Sequence, residues 1–168
     1  DTDIIFLTGV NQKHSGVEIE TNYMVNDMLD LMFVASFGNW KFDGDAEGTY
    51  QENEYNSEGQ VVGFTSTEYA YALDGLYVGD MPQTAYILGV TLKPVKGLMV
   101  QAIHKTYDKN YSDWSPDARE FDGTNDDADR AQVWEAPGYS KLDLHMSYKL
   151  PKVKGLDMTL NGHIFNVL

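Results

Sequence analysis

The sequence predicts an all-β fold: an antiparallel sheet of about six strands with one apolar and one polar face, built as an arc of a transmembrane β-barrel. Three observations predict it. Apolar residues recur at every second position through several runs, the period of a strand and not of a helix. The connections between runs alternate short, long, short, long, short. The short connections are rich in lysine, and the long ones carry aspartate, glutamate and aromatics. Short periplasmic turns, long extracellular loops and an outward apolar band edged by aromatics are the pattern of outer-membrane barrels.

The opening residues mix an apolar run, Ile4 to Leu7, with Gly9, Asn11, Lys13 and His14, and are expected to form the outer part of a strand. From Gly16, Val17, Ile19, Thr21, Tyr23 and Val25 share one face, opposite Glu18, Glu20 and Asn22. Asn26-Asp27 is a turn signal. The next run gathers Leu29, Leu31, Phe33, Ala35 and Phe37 on one face and Asp30, Ser36 and Gly38 on the other, with Met32 and Val34 as exceptions. After Trp40 a long acidic excursion begins, punctuated by Asp43-Gly-Asp45, Glu47-Gly48 and Asn56-Ser-Glu-Gly59. Fragments such as Val61 to Tyr71 still alternate weakly, so strands are expected to project beyond the apolar band.

Thr84 to Lys93 reads as a strand with Tyr86, Leu88, Val90 and Leu92 on one side. Lys93-Pro-Val-Lys-Gly97 turns the chain, and Leu98 to Tyr107 returns it. Residues 108 to 138 form a second long excursion, acidic and carrying Trp114 and Trp134; a loop of this length is usually functional or disordered. The clearest hairpin follows. Leu142, Leu144, Met146, Tyr148 and Leu150 alternate with Lys141, Asp143, His145, Ser147 and Lys149. Beyond Pro151-Lys-Val-Lys-Gly155, Leu156, Met158, Leu160 and Ile164 oppose Asp157, Thr159, Asn161 and His163. Both lysine-rich turns contain Val-Lys-Gly-Leu, a recurring architectural unit.

Tyr23, Phe37, Trp40, Tyr107, Tyr139 and Tyr148 lie near strand ends, as aromatic girdles require. Glu18, Glu20, Asp30, Asp143, Lys149 and His163 are expected to line a wet lumen. Six strands fall short of the roughly eight needed to close such a barrel. The periodicity is shared by a soluble β-sandwich with its apolar face inward, a calcium-assisted lectin-like binding module for example; the loop asymmetry favours the barrel.

The bulk numbers bound the class. The length of 168 residues fits about one domain. Cysteine is absent, so disulfides and thiolate metal sites are excluded. A net charge of −14 argues against nucleic acid as a partner, since phosphates are held by Lys and Arg. No run approaches the ~20 apolar residues of a spanning helix, which leaves barrel strands open. The chain begins at Asp1 without a signal peptide, as expected of a processed protein or a piece of a longer one.

Three segments carry a resemblance: Gly9-Val-Asn-Gln-Lys-His-Ser-Gly-Val-Glu-Ile-Glu20; Asp74-Gly-Leu-Tyr-Val-Gly-Asp-Met-Pro-Gln83; and Tyr139-Ser-Lys-Leu-Asp-Leu-His-Met-Ser-Tyr148 followed by Leu160-Asn-Gly-His-Ile-Phe-Asn166. In order and spacing they resemble the C-terminal part of the β-barrel of TonB-dependent outer-membrane receptors, especially those of Bacteroidetes, across nearly the whole chain. The resemblance implies a bacterial outer-membrane location and import of siderophore-iron, haem, cobalamin or a glycan. It implies as partners outer-membrane lipid, TonB acting through a plug region, a small-molecule or oligosaccharide ligand, and a surface lipoprotein capping the barrel. The family's plug domain, its TonB-contacting segment and its final strands with their closing aromatic have no counterpart here. The chain is therefore expected to be a partial receptor barrel over 1–168.

No catalytic set is present, and the chain reads as non-enzymatic, with neither cofactor nor metal expected. His14, His104, His145 and His163 lack metal-ligand spacing; His145 and His163 fall on the polar face of adjacent strands, where a hydrated surface role is the expectation. Asp122-Gly-Thr-Asn-Asp-Asp-Ala-Asp129 is similar to a calcium loop but lacks the EF-hand spacing, so it reads as solvated acidic loop, as do Asp43, Asp45 and Glu47. Trp114 and Trp134 are open to stacking on a ligand, packing their own loop, or sitting at lipid headgroup level.

Overall fold

A computed structural model describes residues 4–121, 128–152 and 154–168. It is all-β, with antiparallel pairing in each described ladder. The strands are β1 (Ile4–Thr8), β2 (Gln12–Asn26), β3 (Leu29–Phe42), β4 (Ala46–Tyr55), β5 (Val61–Tyr71), β6 (Pro82–Val95), β7 (Leu98–Tyr111), β8 (Glu120–Phe121), β9 (Glu135–Ala136), β10 (Tyr139–Lys149) and β11 (Thr159–Ile164). A short 3₁₀ turn covers Pro116–Ala118. The chain forms two compact units. One comprises Asp1–Ser15, Asn39–Asp80 and Tyr111–Trp134; the other comprises Gly16–Gly38, Met81–Asn110 and Glu135–Leu168.

The larger sheet runs β11-β10-β7-β6-β3-β2, with β9 also on β7. The expected six strands are therefore all present, each beside its sequence neighbour within the set. The sheet is open, with β2 and β11 at its edges. Between β2 and β3, the Asn26 side-chain oxygen accepts from Met28 N at 2.8 Å, which fixes the turn. Between β6 and β7 the ladder closes at Val95↔Leu98, with Gly97 at φ 86° supplying a conformation that side chains resist.

The two lysine-rich turns differ more than their shared Val-Lys-Gly-Leu implies. The second ladder ends at Lys149↔Thr159 instead of resuming at Leu156, and Leu150 N donates to Met158 O at 2.9 Å across a wide connection. Gly155 keeps a positive φ of 81°, and Lys154 joins it at 51°. Pro151, which offers no N–H to a ladder, ends the strand before the turn can tighten.

The other unit contains the sheet β1-β4-β5-β8. The first long excursion does carry strands, as the weak alternation around Val61 to Tyr71 suggests, and β4 is one that alternation did not mark. Ala46–Tyr55 is a strand although its Glu, Gln and Asn content gives no clean alternation, and it pairs with β5 from Ala46↔Tyr71 to Tyr55↔Val61. β1 belongs to this sheet through Ile4↔Gln51 to Thr8↔Glu47 and does not extend β2. A core of Phe42, Ala46, Tyr71, Leu73, Leu76, Tyr111 and Val133 holds the unit, with Ile5, Leu7, Tyr77 and Trp114 packed on it. Tyr77 and Tyr111 stack with ring centroids 4.3 Å apart. At Gly48 a Cβ would stand 2.6 Å from the Tyr71 ring and 2.9 Å from Leu7, so only glycine lets Tyr71 lie flat in this core.

Candidate functional site

The larger sheet has two chemically distinct faces, set by cross-strand register. Leu31 pairs with Val90 and Phe33 with Leu88. Leu88 pairs with His104, Val90 with Ala102 and Leu92 with Val100. Ala102 pairs with Leu144 and Val100 with Met146, and Leu144 pairs with Ile164. Paired residues point to the same side, so these side chains form one apolar face across β3, β6, β7, β10 and β11. It is uncovered: Leu88 is 53% exposed, Leu160 55% and Ile164 62%, while Leu142 and Leu144 are half-buried. A face of this extent without protein over it is unusual for a soluble monomer, and a sandwich would bury it.

On the opposite face lie Asp30, Thr91, Gln101, Lys105, Asp143, His145, Ser147 and His163, alternate to the apolar set. Asn22, Tyr23 and Met24 of β2 line a shallow depression with Asp30, Leu31, Met32, Thr91 and Gln101. Groups of the polar face bond to one another. Gln101 Nε2 donates to Thr91 Oγ1 at 3.0 Å, Lys105 Nζ to Asp143 Oδ2 at 2.9 Å, and Lys93 pairs with Asp30. Glu18, Glu20, Lys149 and His163 are exposed, as are the apolar residues of β2. Asp143 is not. It is buried, and its second oxygen accepts from Asn166 N at 3.0 Å, because Asn166 takes φ 57° and turns the chain after β11 back onto β10. Asp30 is half-buried and keeps one carboxylate oxygen without a hydrogen-bond partner.

The aromatics expected at strand ends divide between the faces. Phe37 and Tyr86 meet edge to face, 5.5 Å between centroids, on the apolar side. Tyr107 and Tyr139, 5.2 Å apart, stand opposite each other on the alternate side. Trp40 stacks on His14 at 5.4 Å in the smaller unit.

In that smaller unit the second long segment is tied to the first by specific bonds. Arg130 grips Asp45 with both nitrogens, at 3.2 and 2.9 Å. Asp45 Oδ1 also accepts from Leu73 N and Asp74 N at 3.0 Å each. The Arg130 guanidinium, ahead of those backbone donors, holds the Asp45 carboxyl below the usual carboxylate range. Gln132 bridges Tyr77 N and Gly75 O, and buried Arg119 donates to Asp129 O and Ala131 O at 2.8 Å. Asp45 is thus an anchor, correcting its reading as solvated loop. Trp114 packs on Phe42 and Tyr71, while Trp134 is exposed. Asp43 and Glu47 stay in solvent. Asp122 to Asp127, most of the calcium-like run, lie outside the described residues.

The outer face of the small sheet carries a shallow groove of about 380 Å³ lined by Phe6, Thr8, Glu47, Thr49 and Glu68. Sequence reasoning missed it because β4 was not recognised as a strand. It also missed the contact of His145 Nδ1 with His163 Nδ1 at 2.9 Å, which depends on hairpin register. Among the described residues, no set of three or more His, Asp or Glu is placed to hold a metal ion. No family model, curated protein sequence or solved structure matches this chain.

Proposed function

We propose that the chain is part of the wall and outer loops of a bacterial outer-membrane receptor of the TonB-dependent type, importing a scarce nutrient such as a siderophore-iron complex, haem, cobalamin or a glycan. The observation that carries this reading is the two-faced sheet. A continuous apolar face stands without protein cover, and the alternate face is a network of ion pairs and amides suited to enclosed water. Lipid is the natural occupant of the first, because strands in hydrocarbon satisfy their backbone through neighbours and turn apolar side chains outward. The open edges at β2 and β11 fit an arc continued by further strands, since an unpaired edge is intolerable in lipid.

The packed unit built from the long connections supports ligand capture more than passive permeation. Its groove combines an aromatic ring, hydroxyls and carboxylates, the mixture that grips polar solutes. The reading is tested by purifying the full-length protein in detergent and titrating it with iron chelates, haem, corrinoids and oligosaccharides. Saturable binding of one class, reduced by Phe6→Ala, is the expected result. Binding of none of these classes would refute the transport reading.

A further inference from the structure

We propose that His145 and His163 form a two-histidine site for a divalent transition metal of the copper or nickel type. The site stands on the polar face of the larger sheet and is independent of the transport reading.

The register places the pair. β10 and β11 set His145 directly opposite His163, and their Nδ1 atoms approach to 2.9 Å. Imidazole nitrogen is a strong ligand for these ions. Two nitrogens each about 2.0–2.1 Å from one ion stand about 2.9 Å apart when they occupy neighbouring corners of a square, and about 3.3–3.4 Å apart at a tetrahedral angle. The observed separation is that of a hydrogen bond between the rings, and it shows that both nitrogens come within reach of neighbouring corners on Cu²⁺ or Ni²⁺ with the hairpin register kept. In the metal-free arrangement one nitrogen donates its proton to the other. On binding, the ring that carries its proton on Nδ1 moves it to Nε2 by exchange with solvent, and each ring turns about its Cβ–Cγ bond so that both Nδ1 lone pairs converge on the ion.

Phe165 bounds the two rings on one side. Phe165 packs on both, with centroids 5.6 Å from His145 and 6.1 Å from His163. Phe165 is fixed in turn by Asn166 N on Asp143 and by Val167 N on Leu142 O at 2.8 Å. Gln101 flanks His145 on the other strand, and Ser147 faces Asn161 two residues along, so polar groups stand ready to hold waters on the remaining coordination positions. His163 is exposed and His145 half-buried, so an ion reaches the pair from solvent.

The test titrates CuCl₂ into the full-length protein against glycine as a weak competitor, read by electron paramagnetic resonance. The expected result is one tightly bound Cu²⁺ whose spectrum shows splitting from two imidazole nitrogens. His145→Ala and His163→Ala should each weaken binding by at least about tenfold, the floor set by perturbing outer-shell groups, and leave one imidazole in the spectrum. His14→Ala should change neither. Circular dichroism checks that the variants fold, and the nitrogen count in the unsubstituted protein decides the matter if they do not. Fewer than two imidazoles on the copper, or affinity unchanged in both variants, would overturn the proposal.

Discussion

Replacing Leu88 with arginine separates a lipid-facing sheet from a water-facing one. Leu88 sits mid-strand on β6, flanked on its own face by Phe33 and His104, and is 53% exposed. It precedes Pro94 at the lysine-rich turn by six residues. At about 3.3 Å per residue that is roughly 20 Å along the strand. A strand tilted ~40° in a band ~25 Å tall puts it about 15 Å from the turn, within a few ångströms of the midplane. Arginine at that depth costs about 2–4 kcal/mol, whereas an exposed substitution in water stays within about 0.5 kcal/mol. The assay is urea unfolding of the full-length protein refolded into phospholipid vesicles, followed by tryptophan fluorescence. Asn161→Arg, on the polar face, is the control and should shift stability by no more than about 0.5 kcal/mol. If Leu88→Arg is as mild as the control, the face does not meet hydrocarbon and the reasoning fails.

Further outcomes follow from single contacts. Gly48→Val should destabilise the smaller unit by about 1–3 kcal/mol, because its side chain must displace the Tyr71 ring; protease nicking of Asn39–Asp80 reports it. Lys105→Met should lower the melting temperature by leaving Asp143 with the Asn166 N–H as its one hydrogen-bond donor; Asp143→Asn in the same background should recover part of the loss. The Asp45–Arg130 pair, partly exposed, should contribute no more than about 1 kcal/mol. Since the folded carboxyl titrates lower than the unfolded one, that contribution is present above the ordinary carboxylate range and fades as pH falls through the depressed value. Melting temperatures of the unsubstituted protein and Asp45→Asn should therefore differ at neutral pH and converge in acid.

The strands of the larger sheet were legible because apolar and polar residue types alternate in the sequence, most clearly from Lys141 to Leu150, even where burial does not alternate, as in the wholly exposed β2. β4 was not, since Glu47, Gln51, Glu52, Asn53 and Glu54 leave little contrast between its sides, and the residue it gives to the buried core is the small Ala46. The core of the smaller unit was hidden for a related reason. Phe42, Leu73, Leu76, Tyr111 and Val133 are scattered over some ninety positions and meet only after folding. Alternation assigned His145 and His163 to one face but not to one rung, because the wide turn between Lys149 and Thr159 sets the register. Asp143 was misplaced as wet because its partner Asn166 reaches it by a backbone reversal that no local pattern encodes.

The central claim is that the apolar face of the larger sheet meets hydrocarbon while the other meets water. The 168 residues contain no cysteine, so Leu88→Cys and Asn161→Cys each place one thiol within them, any cysteine elsewhere in the full-length protein being replaced by serine beforehand. The most direct measurement labels each with bimane in the full-length protein reconstituted in vesicles, and quenches it with nitroxide lipid or aqueous iodide. The account predicts that lipid nitroxide quenches position 88 and iodide does not, with the reverse at position 161. Iodide quenching of both positions with no response to nitroxide lipid would contradict it.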